Sequence, residues 1–165
     1  MRTEVGEYVV GAWLKLGLDC DVVDYNVRPP GGGLNGLGEL DVVGYNLAEG
    51  RAYLCEVTTH VGGLLIGSRQ KTVATIAAKH ERQKSYAEKY LSGRFPHLTY
   101  MFWSPCVPKG YLTEQLSRIQ GLELIINGRY KACVDELRRR ARKEKHDAVN
   151  PFFRMLQITE CLRDD

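Results

Sequence analysis

The run from Gly38 to His60, GELDVVGYNLAEGRAYLCEVTTH, limits what this chain can fold into more than any other stretch. Val42, Val43 and Tyr45 are strand formers, as are Tyr53, Leu54, Cys55 and Val57. The residues Asn46 to Gly50 between them carry turn chemistry. The spacing therefore predicts two strands joined as a hairpin. Strand side chains alternate faces, so Glu39 and Asp41 share one face of the first strand, and Glu56, Thr58 and His60 share one face of the second. Paired across a hairpin, these runs can bring three carboxylates into one small area. Acids inside otherwise buried strands are costly unless paired, protonated or bound to a cation. An antiparallel sheet with one wet face satisfies the same pattern.

The run resembles the core signature of the PD-(D/E)xK nuclease superfamily, which has a carboxylate on one strand and E-x-K on the next. It is most similar to the Holliday-junction-resolvase-like branch, G-E-(I/L)-D followed by V-E-V-K-(T/S). Asp41 and Glu56 match the two metal-binding acids, and Glu39 matches the acid of G-E-x-D. The resemblance implies Mg²⁺ or Mn²⁺ held by Asp41, Glu56 and the backbone carbonyl of Val57. At the motif lysine this chain has Thr58. A threonine can hydrogen-bond a water but supplies no positive charge.

Further matches extend the resemblance over roughly residues 4–92. Residues 3–16 have a helical apolar stripe (Val5, Val9, Ala12, Trp13, Leu16), with Thr3 as the expected cap. Within this stretch Glu7, Val10, Leu14 and Gly17 follow the branch's first-helix spacing. A first-turn glutamate favoured by the helix dipole explains Glu7 equally. Cys20–Val27 reads as a strand. The glycine-rich loop from Arg28 to Gly36 lacks the lysine and spacing of a P-loop. A long helix is expected from Gln70 to Leu91, with an inward stripe through Val73, Ile76, Ala77, Ala87 and Leu91 that also contains His80 and Lys84. The branch places a basic helix here that ends A-x-x-Y-L, and Lys79, Ala87, Tyr90 and Leu91 match it. Lys79 or Lys84 is thus the expected source of the charge Thr58 lacks: Lys79 by its match, Lys84 by its place on the stripe. His60 is a candidate base if the strand runs straight, with a surface histidine as the alternative.

Beyond the motif, residues 98–104 form an apolar strand ended by Pro105. A short helix at 111–119, a strand at 122–126, a helix at 130–145 and a final helix from Asn150 to Leu162 are expected. Arg138, Arg139, Arg140, Arg142, Lys143 and Lys145 crowd the end of the 130–145 helix. They suit either its C-terminal dipole or DNA phosphates. With 165 residues and no boundary signal, one α/β domain spanning 1–165 is expected. The resemblance implies a restriction-endonuclease-like αβββαβ core with a mixed sheet, and the remaining pattern adds a C-terminal αβα extension. Five scattered cysteines without metal spacing, and an acid-containing N-terminus without a long apolar run, point to a reducing, cytoplasmic setting with no membrane partner. A homodimer is compatible with the sequence.

Two functions follow from the resemblance. One is a metal-dependent DNA endonuclease or exonuclease. The other is a catalytically inactive nuclease fold kept as a nucleic-acid-binding or assembly module. Retention of the acids favours the first, and loss of the lysine favours the second.

Overall fold

The computed structural model describes residues 2–30 and 38–163, so most of the glycine-rich loop lies outside the described residues. The element order is α1 (Val5–Gly17), β1 (Val22–Val27), β2 (Leu40–Asn46), β3 (Arg51–Val57), α2 (Arg69–Tyr90), β4 (His97–Ser104), α3 (Tyr111–Ser117), β5 (Leu122–Ile126), α4 (Gly128–Lys143) and α5 (Pro151–Leu162). The five strands form one open sheet in the order β1-β2-β3-β4-β5. β1, β2 and β3 run antiparallel as a meander. β3, β4 and β5 are parallel, with α2 and α3 as the crossovers. The protein is therefore an α/β fold with a mixed sheet flanked by helices. Among the described residues, no helix is long and apolar enough to cross a membrane.

β4 shows why the centre of this sheet reads as a continuous apolar run. Met101 and Trp103 pack with Val10 and Leu14 of α1 and Cys133 of α4 on one face. Phe102 points the other way, to Ile76 of α2 and Leu112 and Leu116 of α3. A strand covered on both faces has no polar side to show. Phe102 and Trp103 are both wholly buried, each contributing on the order of 1.5–3 kcal/mol of apolar transfer. On the α1 side, Gly44 of β2 lets the helix sit close. A Cβ there would lie 2.9 Å from Cys20 Sγ and 3.0 Å from Leu14 Cδ1.

Three local expectations are corrected. Thr3 does not cap α1; Glu4 is the N-cap residue, and its N–H donates to Glu7 Oε2 at 3.1 Å. The strand at Cys20 begins only at Val22, because Cys20 turns into the α1 side and its N–H goes to Leu14 O. The inward stripe of α2 is Thr72, Ile76, His80, Gln83 and Ala87, with Gln83 where Lys84 was expected. The Gln83 amide donates to Leu54 O at 2.9 Å and Met101 O at 3.1 Å, tying the helix to β3 and β4. His80 follows on the same face, bridging Gln83 to Gln120 O. An amide satisfied in this way can be buried, whereas a lysine charge finds no such match. Lys84 turns to the surface and pairs with Glu81 at 2.6 Å.

Gln83→Leu should lower the stability of the domain by about 1–3 kcal/mol. Lys84→Gln should change it by less than about 0.5 kcal/mol. Urea denaturation of the two variants tests this, and equal midpoints would show that Gln83 anchors nothing.

Candidate acid–lysine site

The β2–β3 turn sets the geometry. Gly50 takes the left-handed conformation (φ 60°), and Asn46 Oδ1 accepts from the Glu49 N–H. This turn fixes a register running from Asn46↔Arg51 to Val42↔Cys55. One residue further in the same register, Asp41 stands across from Glu56. Asp41 Oδ2 accepts from the Val57 N–H at 2.7 Å, closing the end of β3.

Lys79 enters this corner from α2. Its Nζ donates to Glu56 Oε2 at 2.6 Å and lies 3.8 Å from Asp41 Oδ2. The two acids therefore share the α2 face of the sheet and a single cation. Lys79, not Lys84, is the helix lysine at the acids. At about 100° per residue, the two lysines lie on opposite rims of the stripe centred on Ile76, and only one rim faces the end of β3. Arg82, three residues on, also draws on Glu56 electrostatically. The sequence reading missed Arg82, although its place next to Lys79 on the helix surface was a usable signal.

Glu56 is almost fully buried, at 2% exposure. Burial pushes its carboxyl up to about 7, with Lys79 pulling it down and the Asp41 charge pushing it further up. Glu56 Oε1 and Thr58 Oγ1 are buried oxygens with no hydrogen-bond partner among the described residues. Buried polar atoms are seldom left orphaned, and an orphaned carboxylate oxygen invites a cation or a water.

The other expected members have contacts of their own. Glu7 spends Oε2 on the Glu4 N–H and the Asn26 amide. Its carboxyl is raised first by burial, and also by the nearby Asp41 charge. Glu39 faces Arg28 at 3.5 Å. β3 stops at Val57, the Thr58 N–H turns to Trp103 O, and His60 lies exposed in the following turn, so it cannot act from a straight strand. Among the described residues, no group of three or more His, Cys, Asp and Glu is gathered to hold a metal. Two carboxylates are nonetheless within the usual demand of Mg²⁺, which keeps several waters and takes one or two protein acids.

No family model, curated protein or solved structure matches the chain.

The basic turn of α4 is more committed than its composition suggests. Arg138 and Arg142 close on Glu160 of α5 at 3.1 and 2.5 Å, and Arg163 joins them at 3.4 Å. The Glu160 carboxyl, covered by these guanidinium groups, is held at about 2, chiefly by the Arg142 hydrogen bond. Arg138 and Arg142 thus clasp α5 to α4. Arg139, exposed, and Arg140, half-buried, pair with Glu136 along the helix, and a surface pair such as that of Arg139 is weak enough for a phosphate to replace. Lys143 and Lys145 are exposed.

The raised Glu56 carboxyl has a definite sign. Below the ordinary carboxyl value of 4.5 it is protonated in both states, and its contribution to stability is fully present. As pH rises towards about 7, the unfolded chain releases the proton first and this contribution is lost. Stability should therefore fall between about pH 5 and 8 by on the order of 2–3 kcal/mol from this group. Glu56→Gln should remove that slope. Parallel slopes in wild type and variant, read by denaturation at several pH values, would mean that Glu56 titrates normally.

Proposed function

We propose that the protein is a metal-dependent deoxyribonuclease that hydrolyses phosphodiester bonds, built on a restriction-endonuclease-like core, with its catalytic lysine carried on α2 rather than on β3. The observation that carries this reading is the ammonium of Lys79, 2.6 Å from Glu56 and 3.8 Å from Asp41. It restores, from a neighbouring helix, the positive charge missing at Thr58. Support also comes from the αβββαβ order of residues 5–104 and from the placement of the acids where β2 begins and β3 ends.

Asp41 and Glu56, with the Val57 carbonyl, would hold Mg²⁺ or Mn²⁺. The orphaned Oε1 of Glu56 fits that role. When bound, such a cation neutralises phosphoryl charge and makes water more acidic. The remaining work falls to the chain's own groups. Lys79 keeps a fixed charge beside the acids, in a partly buried corner where it acts more strongly than in water on charge developing at a phosphate. Arg82 adds a second cation one helical turn away. Thr58 offers a hydroxyl to a water. The hydrogen bond from the Val57 N–H keeps Asp41 in place. Exposed cations at the end of α4 can contact backbone phosphates without reading bases.

The salt bridge itself favours a second reading. An ammonium that already neutralises Glu56 leaves less need for a metal, as in an inactive nuclease fold kept for nucleic-acid binding or assembly.

The two readings part on one set of measurements. For a nuclease, Mn²⁺ should raise the melting temperature, and Asp41→Ala and Glu56→Ala should each abolish that shift. Lys79→Met preserves the packing of the stem and should cut Mn²⁺-dependent cleavage by about 10²-fold or more. It should cost little stability, because Glu56 can take up a proton. Wild type that cleaves no form of DNA, alongside Thr58→Lys that does, decides for the inactive fold.

A further inference from the structure

A shallow groove runs along α2 beside the acid–lysine corner. Pro29 and Gly38 form one wall, and Arg82, Tyr86, Lys89 and Tyr90 form the other. Its volume of about 260 Å³ is below the roughly 300–1,000 Å³ of a typical small-molecule site. The α2 wall carries two tyrosines, partly buried against the core beneath them. The rings of Tyr86 and Tyr90 sit 4.9 Å apart, tilted at 53°, and Lys89 Nζ lies 5.2 Å from the Tyr90 centroid. The guanidinium of Arg82 lies against Gly38, where a Cβ would meet Nη1 at 2.3 Å, and the same arginine bears on Glu56. The acid on the rim, Glu81, is held by Lys84.

Lys79, Arg82, Tyr86, Lys89 and Tyr90 fall within about 100° of one another on the helix, and the track is about 16 Å long. From Arg82 to Tyr90 cations alternate with aromatic residues along it, and both half-buried rings line the groove. This is the composition of a platform for unpaired nucleotides, where bases stack on rings and the backbone follows positive charge. A duplex cannot use such rings, because its bases are already stacked inside. The Lys89 ammonium over Tyr90 is no barrier, since an exposed cation–π contact is worth only about 0.5–1 kcal/mol and a phosphate competes for it.

We infer that this groove binds single-stranded DNA, stacking bases on Tyr86 and Tyr90 and leading the strand along α2 to the Asp41–Glu56–Lys79 corner. The substrate of the proposed nuclease is then a single strand or a frayed end, an assignment that rests on the reading above.

The test uses the full chain in EDTA, so that binding is measured without cleavage. The probes are a short unstructured DNA strand carrying the fluorescent base aminopurine and the duplex of the same sequence. The single strand should bind with quenched fluorescence. Tyr86→Leu and Tyr90→Leu should each weaken it by about 5- to 150-fold, and Tyr90→Phe should restore wild-type binding. The duplex should bind more weakly and ignore all three changes. Absence of quenching with wild type overturns the inference, even if the leucine variants fail to fold. So does single-strand binding that the leucine variants leave unchanged. A protein that stacks single strands but cleaves nothing with Mn²⁺ loses the nuclease reading and keeps the groove; one that cleaves without quenching loses the groove alone.

Discussion

A carboxylate placed on the inside of a central strand sets the terms for everything around it. Glu56 is 2% exposed, and a charge so deeply withdrawn from water is tolerated only with a partner or with a proton. Lys79 supplies the partner from α2. That requires α2 to be rolled and seated within a narrow range, since an ammonium displaced by a few ångströms would leave two acids facing each other unneutralised. The salt bridge is not by itself a source of stability, because desolvation of both charges offsets much of their attraction. Its consequence is specificity of arrangement.

The seating of α2 falls to Gln83 and Ala87. Gln83 reaches the carbonyls of two adjacent parallel strands at once, which fixes the helix both along and across β3 and β4. The polar chain continues through His80 to Gln120 O, at the approach to β5. A purely apolar contact would have allowed sliding; directional hydrogen bonds do not. One turn N-terminal of Gln83 the helix presents Lys79 to the acids, and one and two turns C-terminal it presents Tyr86 and Tyr90 to the groove. The acid corner and the aromatic track are thus two outputs of one anchored helix.

The far side of the sheet follows a different logic. There α1 lies close on β2 over Gly44, and α4 and α5 are locked by the Glu160 clasp. The charge density at the end of α4 suggested a phosphate-binding surface, but two of its arginines have an acid on α5 to satisfy. Counting cations along a helix does not register an anion arriving from an element some twenty residues later.

Local pattern alone was enough for the α/β class, the central hairpin with Asp41 and Glu56 on matching faces, the long helix after it, and the final helix capped by Asn150. Alternation of two and repetition of 3.6 are local properties, and they hold wherever one side of an element is buried. It also placed Lys79 and Lys84 on that helix as the two lysines that could reach the acids. Which of the two meets Asp41 and Glu56 depends on packing: they lie on opposite rims of one apolar stripe, and the roll of the helix on the sheet is set by contacts with strands distant in sequence. The same limit explains the rest. Glu39 and Glu7 have the right parity or spacing but find nearer partners in Arg28, in the Glu4 N–H and in Asn26. His60 would have shared a face with Glu56 had β3 continued, but the chain turns at Thr58 to bond with Trp103. Gln83 acquires its role only when two backbone carbonyls from neighbouring strands meet its amide. Direction along an element can be read from sequence; the distance between elements arises only when they pack.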